Sequence, residues 1–286
     1  MTKSKFKLAE GVEVCFEQII NINPRGYLSS RKFDGIKVIF RKENGTVTAF
    51  TKTGKVITSV PHINRAIESL KIDNVCLEGE LVVFNGDLED FAKISSASTI
   101  KYGTIDNAVY KVFDILTLNE FDSGTGDVIF SERLNRIDEK DLPDCVSLAF
   151  QAKAMSHSHI LKEVKEAFGK GWEGLILRKD AAYKSGRSND IIKIKQKSDA
   201  EFTVTETKTT VMNGETVVGS LHITGHDIET WVGSGLTVDQ RRAWMANPSE
   251  IIGKLVTVRF KGFTNNTAGK RSLREPVFKG VRHDHA

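Results

Sequence analysis

The segment Ser30–Lys37, with the sequence SRKFDGIK, joins two stretches that have the pattern of β-strands. Apolar residues alternate after its glycine, from Ile36 to Phe40, and a short strand-like run precedes it. This pattern predicts that Lys32 lies at a strand end or turn, where Gly35 lets the backbone approach a ligand. A lysine amine attacks phosphorus only when unprotonated, and at a pKa of about 10.4 only about one in a thousand is neutral at pH 7. A reactive lysine therefore needs burial or neighbouring cations to lower its pKa, and a solvated turn is the alternative reading of this segment.

The composition predicts an ordinary folded protein that is neither exported nor membrane-bound. The 286 residues are 40% hydrophobic, and 41 basic against 37 acidic residues leave a formal charge of +4, which permits a polyanionic partner without requiring one. Cys15, Cys76 and Cys145 lack C-x-x-C spacing, which argues against a zinc site or a disulfide framework and favours a reducing cytoplasm. The sequence shows neither an apolar leader nor a run long enough to cross a bilayer.

The larger, N-terminal part of the chain mixes strand and helix patterns. The pair Asn44–Gly45 predicts a hairpin turn, Pro61 opens a predicted helix, and the run from Val75 to Phe84 predicts an apolar strand. Two glycine-containing stretches, 124–126 and 183–187, are typical of loops.

The pattern changes near residue 199. Short alternating strands separated by glycine-bearing turns follow, with one helix predicted at 238–245. This number and size of strands is typical of a small five-stranded barrel of the OB type. We therefore predict two domains, 1–198 and 199–286.

Alternation in Ile192-Lys193-Ile194-Lys195 predicts a strand with both ammonium groups on one face. Two neighbouring cations repel each other and are tolerated mainly where they bind an anion. If that face adjoined Lys32, the two lysines would hold a phosphate beside it. A solvated strand face is the alternative.

Three carboxylates stand beside glycine in apolar surroundings: Glu78 and Glu80 in LEGEL, and Glu173 in GWEGL. Such carboxylates are costly unless they meet a metal, a cation or hydroxyl donors. Oxygen ligands without histidine or thiolate suit Mg²⁺, which takes one or two carboxylates plus phosphate oxygens, and an internal salt bridge is the alternative. Phe113, in a predicted strand, either offers its ring to a nucleobase or is a core residue.

Together these motifs resemble those of covalent nucleotidyltransferases. Their order and intervals are similar to motifs I, III, IIIa, IV and V of that group, carried here by Lys32-x-Asp34-Gly35, Glu78-Gly79-Glu80, Phe113-Asp114, Glu173-Gly174 and Lys193-x-Lys195. Within the group the chain most resembles small ATP-dependent DNA ligases of the viral or bacteriophage kind. The segments Gly233–Gly235 and Leu273–Phe278, ahead of Arg282, are similar to the OB domain of these ligases.

The resemblance implies an α+β nucleotidyltransferase (adenylation) domain with mainly antiparallel sheets, followed by an all-β OB-fold domain. It implies an ATP-dependent DNA ligase, an enzyme of DNA repair, replication and recombination, that seals 3′-OH/5′-phosphate nicks in duplex DNA. The intermediates would be a lysyl-AMP at Lys32 and then a DNA-adenylate, with ATP as adenylate donor and Mg²⁺ as metal. The expected partners are nicked double-stranded DNA and ATP. We expect a monomer in the cytoplasm of a bacterial or infected host cell.

The resemblance also implies a role for each matching residue. Phe113 would stack on adenine, Glu80 would hold the ribose, Glu173 and Glu80 would bind metal, and Lys193 and Lys195 would grip the α-phosphate. ATP contacts are implied for Arg31, Lys37, Glu80, Phe113, Lys193, Lys195, Arg274 and Arg282. DNA contacts, mainly to phosphates, are implied for Lys37, Lys52, Lys184 and Arg187.

The sequence departs from the family pattern in three places. Lys37 and Lys52 stand where the family has arginine, and Glu78 of motif III stands where aspartate is common in the family. Lysine keeps the charge but loses the bidentate fork, so we expect weaker or more salt-sensitive nick binding there. We also expect no DNA-binding domain before the adenylation domain and no latch insertion in the OB domain.

Two other functions fit parts of this pattern. An RNA ligase or an mRNA capping guanylyltransferase would use the same covalent step, although Gly233–Gly235 and Arg274-x-Pro276 are more typical of ligases. A non-catalytic nucleic-acid binder that uses its OB fold is the alternative from a different class.

Overall fold

The computed structural model of the chain describes residues 6–14, 16–97, 99, 103–195, 198–265 and 271–282. The chain divides into two compact units, residues 1–195 and 196–286, whereas the sequence predicts a boundary after residue 198. Among the described residues, no helix is both long and apolar enough to cross a membrane.

The first unit contains strands β1 (Ala9–Val14), β2 (Tyr27–Lys32), β3 (Ile36–Glu43), β4 (Thr46–Thr51), β5 (Val56–Ile57), β6 (Val75–Val82), β7 (Phe84–Asn85), β8 (Leu88–Glu89), β9 (Val109–Thr117), β10 (Thr125–Ile129), β11 (Val146–Leu148), β12 (Ala152–Lys153), β13 (Gly174–Lys179), β14 (Ala182–Lys184) and β15 (Gly186–Lys195). Its helices are α1 (Pro61–Glu68), α2 (Phe91–Ile94), α3 (Leu118–Ser123), α4 (Phe130–Leu134) and α5 (His157–Gly169), with 3₁₀ segments at Phe16–Asn21 and Glu139–Asp141.

Two larger sheets form the body of the first unit. The first sheet has the strand order β1-β15-β13-β2-β12, and the second has the order β11-β9-β6-β3-β4-β5. The pairs β1–β15 and β9–β11 are parallel, and the other pairs within the two sheets are antiparallel. The predicted mixed domain with mainly antiparallel sheets is confirmed.

Alternation along two strands of the first sheet separates a core face from a polar face. Leu175 and Leu177 of β13 and Ile192 and Ile194 of β15 are buried in one cluster with apolar residues of α5. The residues between them therefore point away from α5, and they line a cavity: Ile176, Arg178, Lys193 and Lys195.

The predicted hairpin at Asn44–Gly45 is confirmed. It joins β3 to β4, and the two turn residues have φ angles of 50° and 78°. Positive φ at both central positions is the geometry that a two-residue turn between twisted strands requires, and it favours Asn-Gly.

The two predicted loops in the first unit are wrong. Gly124 ends α3 with φ of 77°, and residues 125–129 form β10. Residues 182–184 form β14, and β15 already begins at Gly186. The reason is long-range pairing: β10 pairs with β14, and Gly186 and Arg187 of β15 lie opposite Ala9 and Glu10 of β1.

The second unit contains strands β16 (Ser198–Met212), β17 (Glu215–Gly225), β18 (Ile228–Val232), β19 (Leu255–Phe260), β20 (Phe263–Asn265), β21 (Arg271–Leu273) and β22 (Val277–Val281), helix α6 (Val238–Ala246) and a 3₁₀ segment at Pro248–Glu250. Five of these strands form one sheet in the order β18-β17-β16-β19-β22. Ser234, just after β18, bridges to Val277 of β22, and the Phe278 amide donates to the Ser234 carbonyl at 2.9 Å. This link brings the two edges of the sheet together around one apolar cluster, and the predicted OB-type fold is confirmed.

Candidate active site

A cavity of about 310 Å³ opens in the first unit, lined by residues of both larger sheets. Its charged and aromatic lining consists of Glu10, Arg31, Lys32, Phe33, Lys37, Lys52, Glu80, Phe113, Arg178, Arg187, Lys193 and Lys195. Residues predicted from distant parts of the sequence therefore share one cavity.

Lys32 is the last residue of β2, and its amine forms a salt bridge with Glu173, which does not itself line the cavity. The same carboxylate lies 3.6 Å from the Lys195 amine. The geometry depends on Gly174, which lies opposite Lys32 on one side and Lys195 on the other. A Cβ atom on Gly174 would lie 1.9 Å from the Ile194 carbonyl oxygen, so only glycine lets the three strands approach this closely.

Lys193 and Lys195 both face the cavity, as the alternation predicts. Burial, and then the nearby Lys37, Lys32 and Lys195, lower the pKa of Lys193. A group of mutually repelling ammonium groups in a partly buried cavity is a site that favours an anion such as a phosphate.

Glu80 projects into the same cavity from β6, where it lies opposite Lys37 of β3. Gly79 next to it packs on the Tyr110 ring, and a Cβ there would lie 2.5 Å from the ring. Burial raises the pKa of Glu80 to about 7, and the neighbouring Lys32 and Lys37 only partly oppose this effect. Glu80 is thus a carboxylate whose charge is costly without a cation or hydroxyl partner.

This pKa predicts how Glu80→Gln changes stability with pH. Between pH 4.5, the ordinary pKa of this group, and about pH 7, Glu80 binds a proton in the folded chain but not in the unfolded chain. Glu80 therefore makes the fold less stable as the pH rises through that range. The neutral glutamine variant should therefore be more stable than wild type at about pH 8, and the advantage should shrink towards about pH 4. A tenfold difference in proton affinity between the folded and unfolded chain corresponds to about 1.4 kcal/mol. Urea unfolding across this pH range measures the difference.

Glu120→Gln is the control, because its effect on the free energy of unfolding should have the opposite sign. Burial alone would raise the pKa of Glu120, but hydrogen bonds from Arg136 and Thr117 lower it overall. This variant should be less stable than wild type at neutral pH, with a deficit that shrinks as the pH falls. If the free energy of unfolding of Glu80→Gln differed from that of wild type by the same amount at every pH, the raised pKa of Glu80 would be contradicted.

Phe113 reaches the cavity through a β-bulge. The register of β9 against β6 shifts there, because Glu78 lies opposite Asp114 while Gly79 lies opposite Val112. The extra residue on a bulged strand is re-aimed relative to the regular pleat. The Phe113 ring lies 5.3 Å from the Lys37 amine and 5.1 Å from the Arg178 guanidinium carbon.

Asp114, next to Phe113, is fully buried and bound by two arginines. Arg133 donates to both carboxylate oxygens at 2.8 and 2.9 Å, and Arg178 donates to one at 2.8 Å. Arg133 also donates to the carbonyls of Val128 and Ala181. The network ties β9 and β13 to the β10–β14 ribbon and holds Arg178 beside Phe113.

Lys37 and Glu78 form a pair at the edge of the cavity. The Lys37 amine lies 2.6 Å from a Glu78 oxygen, and the Tyr183 hydroxyl donates to the other oxygen at 3.1 Å. Glu78 is buried, so in this structure it orients Lys37, and only Lys37 of the two lines the cavity.

The other predicted residues lie at different places. Arg31, Lys52 and Arg187 line the cavity, whereas Lys184 lies outside it and is exposed on β14. The predicted ATP contacts Arg274 and Arg282 belong to the second unit, where the Arg282 side chain lies 3.1 Å from Glu201. The roles predicted for all these residues stay predictions.

Sequence reasoning missed several residues of the cavity, and Ile176 and Arg178 are two of them. The signal was available: in GLILRK, leucines at 175 and 177 alternate with these two positions, so they had to face away from the core.

Comparison with known proteins identifies the two units. A family model described as "ATP dependent DNA ligase domain" matches residues 7–195, and one described as "DNA ligase OB-like domain" matches residues 213–282. The multifunctional non-homologous end joining protein LigD of Pseudomonas aeruginosa is 30% identical over 211 residues, which cover 70% of this chain and 24% of that protein. A DNA ligase of Methanococcus vannielii is 30% identical over 249 residues, covering 72% of this chain and 42% of that protein. The chain thus spans less than half of the length of these relatives.

A solved structure supports the same fold. It is titled "DNA binding with a minimal scaffold: Structure-function analysis of Lig E DNA ligases", and it matches with a TM-score of 0.73 at 23% identity, covering 96% of this chain and 98% of that chain. The resemblance seen in the sequence motifs is confirmed by the family model over most of the first unit. The chain belongs to the family of ATP-dependent DNA ligases.

Proposed function

We propose that this chain seals nicks between a 3′-hydroxyl and a 5′-phosphate in duplex DNA, with ATP as the adenylate donor and Lys32 as the nucleophile. The observation that carries the proposal is the position of the Lys32 amine in one cavity with Lys193, Lys195 and Glu80. An amine, cations for a phosphate and a ring for a base are the groups that a lysine adenylation needs.

The first step makes a covalent adenylate. The unprotonated Lys32 amine attacks the α-phosphorus of ATP, an N–P bond forms, the bond from the α-phosphorus to the bridging oxygen breaks, and pyrophosphate leaves while the amine proton passes to solvent. Lys193 and Lys195 face this position and stabilise the negative charge that develops on the phosphoryl oxygens. Glu173, in contact with the amine, keeps it directed into the cavity.

The next two steps transfer the adenylate and close the strand. A 5′-phosphate oxygen at the nick attacks the adenylate phosphorus, and the N–P bond to Lys32 breaks as the amine regains a proton. The 3′-hydroxyl then attacks the phosphorus of that 5′-phosphate, loses its proton and releases AMP. The basic residues Lys37, Lys52 and Arg187 at the cavity, with Lys184 beyond it, would hold DNA phosphates.

A divalent cation fits this donor set. Glu80 lines the cavity and Glu173 contacts the Lys32 amine, so both carboxylates are available for a cation beside the proposed phosphate position. The described residues hold no cluster of three or more His, Cys, Asp or Glu side chains suited to a metal, so phosphate oxygens and water would complete the coordination. Glu80 and Glu173 would hold Mg²⁺, whose chemistry there is neutralisation of phosphate charge.

The proposal is tested with a fluorescent nicked duplex. We expect sealed product with ATP and Mg²⁺, and none with GTP, without nucleotide or with a nick that lacks the 5′-phosphate. Covalent label from GTP alone would indicate a guanylyltransferase. Sealing restricted to RNA strands would indicate an RNA ligase, and absence of any covalent nucleotide would indicate a non-catalytic binder.

The stacking role of Phe113 gives a separate prediction. Phe113→Leu should raise the KM for ATP in the adenylation step about tenfold, because stacking of a base on an aromatic ring contributes about 1–3 kcal/mol. Phe113→Tyr keeps the ring and should restore most of the affinity. If Phe113→Leu and Phe113→Tyr had the same KM, stacking would be excluded as the role of this ring.

A further inference from the structure

Strand β1 lies at the edge of the first sheet, next to the strand that carries Lys193 and Lys195. Val12 and Val14 of β1 pack against the apolar cluster on the α5 side of this sheet. Because side chains alternate along a strand, Glu13 points to the opposite face, which is the face of the two lysines. One edge strand therefore brings an acidic side chain to the cations that the proposed adenylation uses.

A register shift brings Glu13 to these lysines. Gly11 of β1 lies opposite Ser188 of β15. Continued without a break, this register would place Glu13 opposite Asp190, a second carboxylate. The register shifts directly after Gly11, and Glu13 lies opposite Lys193 instead. The pairing thus replaces a repulsive cross-strand neighbour of Glu13 by an attractive one.

The Lys195 amine lies close to carboxylates. It is 3.2 Å from a Glu13 oxygen and 3.6 Å from a Glu173 oxygen. The Lys195 side chain is 13% exposed and that of Glu13 is 37% exposed, so salt and water screen this pair only partly. A phosphate that binds Lys195 therefore has to share the amine with these carboxylates.

Lys193 differs from Lys195 in its surroundings. It lines the same cavity, and burial lowers its pKa most. The charges of Lys37, Lys32 and Lys195 lower the pKa of Lys193 further. Cations thus dominate the field at Lys193, whereas part of the charge of Lys195 is already neutralised. Of the two lysines, Lys195 is the one whose hold on a phosphate depends on an acidic neighbour.

We propose that Glu13 is an internal competitor for the phosphate at Lys195, so that the adenylate phosphate is held less tightly than the lysines alone would hold it. The proposal rests on the proposed adenylation function, in which this phosphate has to leave Lys32 for the DNA in the next step. Tighter binding that is equal in substrate and transition state lowers the KM without a faster chemical step. Glu13 would limit such binding.

The test measures how strongly AMP and adenosine inhibit single-turnover adenylation of the full chain with ATP and Mg²⁺. AMP carries the phosphate that would lie at Lys195 but has no pyrophosphate to lose, and adenosine carries no phosphate. Glu13→Gln should bind AMP about fivefold more tightly than wild type, because a partly exposed ion-pair partner of Lys195 is removed. Its affinity for adenosine and its adenylation rate at saturating ATP should not change.

Glu43→Gln is the matched control, because it removes the same charge from the chain. Glu43 lies 3.0 Å from Arg41, is 49% exposed and lies outside the residues that line the cavity. This variant should bind AMP like wild type. Glu13→Ala removes the side chain altogether and should show the same gain as Glu13→Gln, so a folding defect of one variant does not decide the result.

A double-mutant cycle locates the effect at Lys195. In a Lys195→Gln background, Glu13→Gln should leave the affinity for AMP unchanged, because the amine for which Glu13 competes is gone. A gain of the same size in both backgrounds would assign the effect to the general field of the cavity and would overturn the proposal.

Two further results would overturn the proposal while leaving the proposed function intact. Unchanged affinity for AMP in both Glu13 variants would show that Glu13 does not compete with the phosphate. Weaker affinity for AMP would show instead that Glu13 supports Lys195 in its binding position. Failure of wild type to form an adenylate would contradict the proposed function itself.

Discussion

Replacing Lys32 by alanine is expected to lower the rate of covalent adenylation by about four orders of magnitude or more, because loss of an attacking group removes the reaction path itself. Lys32→Arg should be equally inactive. Arginine keeps the positive charge beside Glu173, but its guanidinium stays protonated and cannot attack phosphorus. The pair of variants therefore separates a nucleophile from a charge that merely binds phosphate.

The measurement is the transfer of label from ATP to protein, followed over time in single-turnover reactions. Lys140→Ala is the matched control, since Lys140 is 76% exposed and pairs with Asp138 away from the cavity, and it should react like wild type. Adenylation of Lys32→Arg at a rate within tenfold of wild type would show that the cation, not the amine, is what the reaction needs.

The largest effect on stability is expected for Asp114→Asn. The Asp114 side chain has no exposed surface, and replacing it with a neutral amide leaves the buried Arg133 and the nearby Arg178 without their anion. Removal of one partner from a buried ion pair costs about 3–5 kcal/mol of unfolding free energy. Chemical denaturation of wild type and variant measures this loss.

Asp122→Asn is the control for Asp114→Asn. Asp122 also accepts two hydrogen bonds from one arginine, Arg41, at 2.7 and 3.1 Å, but its side chain is 56% exposed. Exposed pairs contribute about 0–1 kcal/mol, so this variant should lie close to wild type. Equal losses in the two variants would mean that burial does not set the strength of the Asp114 network.

Sequence patterns predicted those parts of the fold that depend on local alternation and turn chemistry. The Asn44–Gly45 hairpin and the two faces of the strand carrying Lys193 and Lys195 are examples, because each follows from neighbouring residues alone. The loop predicted at 183–187 was wrong for the opposite reason. Its first residues belong to β14, which pairs with β10, and Gly186 and Arg187 pair in parallel with Ala9 and Glu10 of β1, more than 170 residues away along the chain.

The cavity shows the same division between local and long-range information. The sequence indicated which side chains could form a site, but it could not show that the Lys32 amine contacts Glu173, because this contact depends on β2 and β13 lying side by side. The direction of the Phe113 side chain also depends on the bulge that β9 forms against β6. No residue of β9 specifies this bulge by itself. The Lys32–Glu173 contact and the direction of Phe113 are set by contacts between strands, and the periodicity of a single strand does not predict them.

The most direct test of the adenylation account is peptide mapping by mass spectrometry of the purified protein after incubation with ATP and Mg²⁺. We expect one adenylate group on the peptide that contains Lys32, and its loss when a nicked duplex with a 5′-phosphate is added. An adduct on another residue, or an adenylate on Lys32 that no nicked DNA removes, would contradict the account.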